Sequence, residues 1–390
     1  MGAVSVSTLR EVIAERLVAR NPISRAFFER EADRLAAACC EMAQRFLRGG
    51  RLIAFGRAAS ATDAQHVSVE FVHPVIVGKR ALPALDVSPA FDRWLPAIVR
   101  PQDIVMGFAD PCGDTAVAAA LAEAHLKGAQ TFALPGAFGD FAVDAPSADA
   151  FVSQELIEIL YHTLWETVHV YLEHRERGHD DVGASAFLYP FLGGAKQDTS
   201  GVAGQVAASI RAKAGEVERL REQAARSQVD QIAAAATAVL GRIHAGATLL
   251  MFGNGGSATD ATDWAIDCVT TGAAPALSLA VEPANLTAIA NDIGVDAIFL
   301  RQIIAQGRSS DVAIAISTSG GSQNVIAALA EARKRGMLTV ALLGYDGGEI
   351  IRQGLADLPI VVRSDYIPRI QEVQASIYHV MTEAWSRWRL

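Results

Sequence analysis

Apolar positions along the chain follow two alternating patterns. Short unbroken apolar runs, such as Leu52-Ile53-Ala54-Phe55, Leu249-Leu250-Met251 and Val312-Ala313-Ile314-Ala315, predict strands buried on both faces. Between them, apolar residues recur at spacings of three and four: Leu35, Cys39, Met42 and Phe46 interleave with Glu29, Arg30 and Asp33. That spacing predicts amphipathic helices, with helices over 6–49 ended by Gly49-Gly50. Strands alternating with helices imply an α/β fold in which a parallel sheet carries helices on both faces, the three-layer flavodoxin or Rossmann-like plan.

The pattern occurs twice. Gly56, Ser60 and Asp63 lie 197 residues before Gly253, Ser257 and Asp260. Gly128 to Gly136 matches Gly336 to Gly344 at an offset of 208, and Gln154-Glu155 matches Gln371-Glu372 at 217. The chain therefore reads as a tandem repeat whose second half holds extra residues in two places. The expected domains are 1–182 and 205–390, joined by 183–204, where Pro190, Gly193-Gly194 and Ser200-Gly201 suit a linker. Phe187, Leu188, Tyr189 and Phe191 suggest that this linker packs against a domain.

The candidate chemistry begins with Phe252-Gly253-Asn254-Gly255-Gly256-Ser257, a glycine turn between a strand and a helix N-terminus. Outward-pointing amides, the helix dipole and the Ser257 hydroxyl make such a turn suited to an anion such as phosphate. An ordinary tight turn explains one such loop equally well, but a second follows the next strand. It is Ile316-Ser317-Thr318-Ser319-Gly320-Gly321-Ser322-Gln323-Asn324. Two hydroxyl-rich loops at carboxyl ends of parallel strands can face one phosphate from both sides. No G-x-x-x-x-G-K-[ST] sequence occurs, which excludes a nucleotide P-loop.

These loops, with Ala290-Asn291-Asp292 and Arg369-Ile370-Gln371-Glu372, resemble the sugar isomerase (SIS) family, specifically its phosphoheptose isomerase branch. The resemblance covers nearly all of 205–390, and the repeat extends it to two tandem SIS domains. It implies Asn254, Gly255, Gly256, Ser257, Asn291, Asp292, Ser317, Thr318, Ser319, Ser322 and Gln371 as substrate- and phosphate-binding residues.

His66 and Glu70 stand at i and i+4 on one helix face, a spacing that suits either a shared metal or a surface pair. Gln154, Glu158 and His162 lie on nearly one stripe of a later helix. In the resembled isomerases, residues matching His66, Glu70, Gln154 and His162 hold zinc and transfer protons, so these four are the implied metal set. Glu70 and His162 are the implied base and acid/base, with Asp267 and His379 as second-half counterparts. The second half has Asp263 and Asp267 at the first pair, readable as a metal pair, a helix charge bias or the relic of a lost site.

The first half diverges in its loops, where Arg57-Ala58-Ala59 replaces Asn254-Gly255-Gly256 and Ala109-Asp110-Pro111-Cys112-Gly113-Asp114 replaces the hydroxyl loop. Carboxylates and a proline there oppose phosphate binding. The family assembles its sites where subunits meet, which implies a homodimer presenting four SIS domains. The implied activity is isomerisation of a sedoheptulose 7-phosphate-type ketose to an aldose phosphate, an intramolecular oxidoreduction. The competing reading is a non-catalytic sugar-phosphate-binding or regulatory protein.

Composition narrows the field further. A 51% hydrophobic, 20% charged chain of 390 residues describes a folded globular protein of two or three domains. A net charge of −9 argues against nucleic acid as the main partner. No apolar run spans a bilayer and no signal pattern opens the chain, so no membrane association and a cytoplasmic location are expected. Cys39, Cys40, Cys112 and Cys268 lack C-x-x-C spacing and read as core thiols.

Overall fold

A computed structural model describes residues 6–75, 79–176 and 199–388; the expected linker lies outside the described residues as far as 198. The first half contains α1 (Val6–Leu47), β1 (Leu52–Phe55), α2 (Ala59–Val72), β2 (Ala84–Asp86), α3 (Phe91–Ile98), β3 (Ile104–Phe108), α4 (Thr115–Leu126), β4 (Gln130–Leu134), β5 (Phe141–Ala142) and α5 (Ala150–Glu176). The second contains α6 (Thr199–Ser227), α7 (Val229–His244), β6 (Leu249–Phe252), α8 (Gly256–Thr270), β7 (Ala276–Ser278), α9 (Pro283–Asp292) and α10 (Leu300–Gln306). It continues with β8 (Val312–Ser317), α11 (Gln323–Lys334), β9 (Leu338–Gly344), α12 (Gly348–Arg352), β10 (Leu358–Val362) and α13 (Ile367–Trp388).

Each half builds one five-stranded, wholly parallel sheet, in the order β2-β1-β3-β4-β5 and, equivalently, β7-β6-β8-β9-β10. Alternate strand residues point to opposite faces. Ile53, Phe55, Val105 and Ala133 accordingly meet Phe91 and Leu95 of α3 and Val117 and Leu121 of α4. Leu52, Ala54, Ile104 and Met106 are equally buried on the other face. In the second sheet Leu250, Phe252, Ala313, Ala315, Ala341 and Leu343 pack with Ile303, Val325, Leu329 and Ile350. Burial on both faces explains why these strands read as continuous apolar runs.

The helices expected over 6–49 are one helix, which runs through Pro22 although proline withholds a backbone donor. The chain divides into two compact units, Met1–Arg20 with Val217–Leu390, and Asn21–Glu216. The start of α1 thus belongs with the second sheet and the start of α6 with the first, so these divisions cut across boundaries placed at 182 and 205. Ion pairs account for the difference. Arg16 and Arg20 reach Glu383 at 2.9 and 3.2 Å, and Arg10 reaches Asp230 at 2.6 Å. Arg211 pairs with Glu29 and Asp33, and Lys213 with buried Glu166.

Two side-chain staples recur in both halves. Asp103 accepts from the Arg51 and Arg100 amides, both at 3.0 Å, and Asp311 accepts from those of Thr248 and Arg308 at 3.0 and 2.9 Å. Asp140 accepts from the Thr131 amide and hydroxyl at 2.8 and 2.9 Å, and Asp357 from those of Thr339 at 3.0 and 2.8 Å. Burial pushes the Asp357 carboxyl up, but the Thr339 donors and Arg333 outweigh it and leave the group below its ordinary 3.8. A carboxyl lowered by folding stabilises above that ordinary value and loses the contribution as pH falls through the folded value. Asp357→Asn should therefore cost about 1 kcal/mol at pH 7, with the exposed part of the site weakening the bonds. Thermal unfolding at pH 7 and pH 3 checks this: the gap from the parent protein should narrow at low pH, and a constant gap contradicts the assignment.

Candidate active site

In both sheets the strand order reverses beside the first strand of the half. β1 leads to β2 on one side, while β3, β4 and β5 follow on the other; β6 and β8 are the equivalents. A parallel sheet opens a crevice at the carboxyl ends of strands at such a switch point. The two glycine loops of the second half follow β6 and β8, the pair that flank it.

Backbone crowding fixes the first loop. A Cβ on Gly253 would lie 2.5 Å from the Ser257 carbonyl oxygen and 2.7 Å from that of Ile316, so only glycine fits. Gly255 starts α8 at φ 56°, ψ −129°, a region open essentially to glycine. The first half keeps the same turn without the same residue, because Ala58 starts α2 at φ 50°, ψ −125°. The loop geometry has outlasted its sequence.

In the second half Asn254 and Asn324 exchange amide hydrogen bonds of 2.9 and 2.8 Å, tying one loop to the helix that follows the other. The Ser317 hydroxyl accepts from the Gly320 amide at 3.1 Å and Ser319 from Gly321 at 3.2 Å, shaping the turn after β8. Ser257 is buried in the first turn of α8. Ser322 precedes α11 but makes no side-chain capping bond, and Thr318 lies in the loop between them. Gln371 is buried on α13. Asn291 and Asp292 bond each other at 2.8 Å at the exposed end of α9, a helix with no buried residue.

The first half fills the corresponding space with its own groups. Asp114 caps α4, accepting from the Ala116 and Val117 amides at 2.7 and 3.1 Å, and stands 3.7 Å from Arg57. Asp114 thus takes both amides from inside, whereas in the second half Ser322 takes neither and, among the described residues, only the Val325 amide meets a side chain, donating to Asn324 Oδ1 at 2.9 Å. Beneath the first loop, burial raises the Asp86 carboxyl, although Ser88 donates to it at 2.9 and 2.5 Å.

The acid–base candidates gather within each half. In the first, His66 and His162 bring their Nε2 atoms to 3.3 Å, and Glu70 Oε1 lies 3.8 Å from His66 Nε2. Single ligand atoms of His66, Glu158 and His162 all lie within 4.8 Å of one another, and all three residues are buried. Two imidazole nitrogens and a carboxylate converging away from water suit a divalent metal such as zinc. The Gln154 side chain turns instead to Asp63, donating at 3.2 Å. Glu158 lies outside the metal set that the family resemblance implies, although it shares a helix stripe with Gln154 and His162 in the sequence. Its i,i+4 spacing to His162 was the available signal.

In the second half His379 Nε2 lies 3.2 Å from Asp267 Oδ2 and 3.6 Å from Asp263 Oδ2, while the Tyr378 hydroxyl donates to Asp263 at 2.8 Å. Tyr378 was not singled out from the sequence, although Tyr161 holds the same place beside His66, with ring centroids 5.4 Å apart. Cys39 and Cys268 are buried, and burial pushes their thiols up, as suits core residues; Cys112 is exposed.

Paired switch-point loops above buried imidazole and carboxylate groups, present in duplicate, define a tandem phosphosugar-type α/β protein. The chain belongs to the SIS (sugar isomerase) family. The SIS domain family model matches residues 214–344. The phosphoheptose isomerase of Pelodictyon phaeoclathratiforme is 42% identical over 177 residues, covering 43% of this chain and 83% of that protein. That of Geobacter sp. strain M21 is 44% identical over 161 residues, covering 40% and 83%. Among solved structures, the C-terminal domain of glucosamine-fructose-6-phosphate aminotransferase from Francisella tularensis covers 100% of this chain and 97% of its own, with a TM-score of 0.60 and 8% identity, and so shares the fold.

The Ala58 conformation yields a stability test. Glycine relieves a strain of order 1–3 kcal/mol at such a position and returns less than that as added unfolded-state entropy. Ala58→Gly should therefore stabilise the protein by about 1 kcal/mol, seen as a raised denaturation midpoint, whereas Gly255→Ala should lower it. A destabilised Ala58→Gly variant contradicts the strain.

Proposed function

We propose that the protein is a phosphosugar isomerase that converts a ketose phosphate of the sedoheptulose 7-phosphate type to the corresponding aldose phosphate. The observation that carries this reading is the convergence of buried His66, Glu70 and His162 within the first half; the hydroxyl-bearing loops after β6 and β8 are read, within the second half, as its phosphate site. The identity to phosphoheptose isomerases supports the choice of substrate.

Ketose–aldose isomerisation takes a proton from C1 and returns one to C2 through an enediol, while a second proton moves between the two oxygens. Glu70 is the base for the carbon-bound proton. With its Nε2 lone pair not engaged by a metal, His162 transfers the proton between O1 and O2; a metal bound at that nitrogen would take over the polarisation of these oxygens instead. A zinc ion held by His66, Glu158 and His162, with Glu70 alongside, would supply charge stabilisation to the developing enediolate oxygen. Ser257, Ser317, Ser319, Ser322 and the amides at the starts of α8 and α11 hold the phosphate, and Asn254 and Asn324 keep the two loops together. We propose a homodimer carrying four SIS domains as the working assembly.

A second reading, sugar-phosphate binding without turnover, is favoured for the second half alone by the mutual engagement of His379, Asp263, Asp267 and Tyr378. Turnover of sedoheptulose 7-phosphate, monitored with exchange of the C1 proton into solvent and metal analysis of the purified protein, separates the two. Glu70→Gln should lower turnover by at least about a thousandfold with phosphate affinity retained, and His66→Ala should remove bound zinc. Asp267→Asn should have a smaller effect. Ser319→Ala should weaken phosphate binding about tenfold, through loss of a charge-assisted bond. Full turnover by Glu70→Gln with no zinc in the parent protein overturns the assignment.

A further inference from the structure

The two halves differ between their fourth and fifth strands in a way that opens a cavity. In the second half this connection, 345–357, contains α12. The Ile350 amide donates to the Gly320 carbonyl at 3.0 Å, and buried Ile350 and Leu355 pack on Val325, Leu329, Ala341 and Leu343. In the first half the connection is only 135–140 and contains no helix. Val117, Leu121, Ala133 and Pro135 stand at the repeat positions of Val325, Leu329, Ala341 and Leu343. All four line a cavity of about 270 Å³.

The surface that in one half receives an isoleucine and a leucine of its own chain is therefore left open in the other. Its floor already has the shape and polarity for branched aliphatic groups. Its rim is acidic. Asp114 and the exposed thiol of Cys112 line it, Asp110 belongs to the same turn, and Asp140 faces His125, whose ring contacts Phe138 of the lining. Arg57, 3.7 Å from Asp114, offsets one of these carboxylates. None of the residues that hold phosphate or the acid–base groups takes part.

We propose that this cavity binds a small molecule with a branched aliphatic body and a cationic head, the aliphatic part replacing Ile350 and Leu355 and the head facing Asp114. The site is separate from the isomerase reading and does not rest on it.

Cys112 supplies a direct readout, because occupancy should shield its thiol while Cys39 and Cys268 remain buried. The full chain is titrated with 3-methylbutylamine, 3-methylbutanol and 3-methylbutanoate, and the rate of Cys112 alkylation by iodoacetamide is followed by peptide mass mapping, which separates it from Cys40. The amine should protect at concentrations about threefold to fivefold below the alcohol, as a partly exposed charge pair allows, and the carboxylate should protect least. Asp114→Asn, which still caps α4, should bring the amine to the level of the alcohol. Ala118→Phe, at an exposed lining position, should remove protection by all three, about tenfold or more in concentration, with unchanged thermal stability. No protection by any probe, equal protection by amine and carboxylate, or protection that survives Ala118→Phe would each overturn the proposal.

Discussion

Everything in either half depends on how closely the end of one strand approaches the first turn of the next helix. At Gly56 a Cβ would meet the Ser60 carbonyl oxygen at 2.3 Å, and at Gly253 that of Ser257 at 2.5 Å. This contact forces the chain through a turn in which Ala58 or Gly255 takes a positive φ, and it sets the rotational phase of α2 and α8. Once that phase is set, residues about two and three turns further along fall on the buried face. His66 with Glu70, and Asp263 with Asp267, are therefore buried together, and the same turn aims the helix amides into the crevice. A single steric constraint thus couples the direction of the helix amides to the burial of the ionisable side chains within each half.

Duplication allowed that coupling to loosen in two directions. Where Ser322 makes no side-chain capping bond at the start of α11, the equivalent Asp114 caps α4 from inside, which removes donors and adds a negative charge. Where the first half directs two imidazole nitrogens at one point, the second matches His379 to two carboxylates and a tyrosine hydroxyl. Burying ionisable groups is tolerated only when they are compensated, and the halves reach compensation differently. The repeated aspartate staples, which only hold strands and turns, did not diverge.

Much of this was legible in the sequence because it follows from local rules. Unbroken apolar runs marked doubly covered strands, and glycines followed by hydroxyls marked the crevice. The offsets of 197, 208 and 217 anticipated two sheets of identical strand order. What was hidden depends on distant partners. Glu158 joins His66 and His162 only through the packing of α5 on α2, and the metal set implied by the family resemblance has Gln154 in its stead. Asn324 matters through its exchange of bonds with Asn254, 70 residues away. The division of α1 and α6 between the compact units goes with ion pairs between distant residues, such as Arg20 with Glu383, which leave no local signature, and neither does the passage of α1 through Pro22.

The chemistry of the two buried clusters also bears on which half can respond to a ligand. Two imidazole nitrogens 3.3 Å apart cannot both carry a proton, so His66 and His162 either share one or turn their lone pairs to a common cation, with Glu158 near enough to complete the donor set. Around His379, Asp263 and Asp267 close from α8 at 3.6 and 3.2 Å and Tyr378 donates to Asp263, so one imidazole faces two carboxylates, and single ligand atoms of His379 and the two aspartates also lie within 4.8 Å of one another. The shorter aspartate side chains make this closure possible, since glutamate at 267 would place its carboxylate one methylene farther from α8. The substitutions that set the halves apart therefore exchange an imidazole-rich donor set for a carboxylate-rich one, so each half keeps a buried group of cation ligands of different hardness.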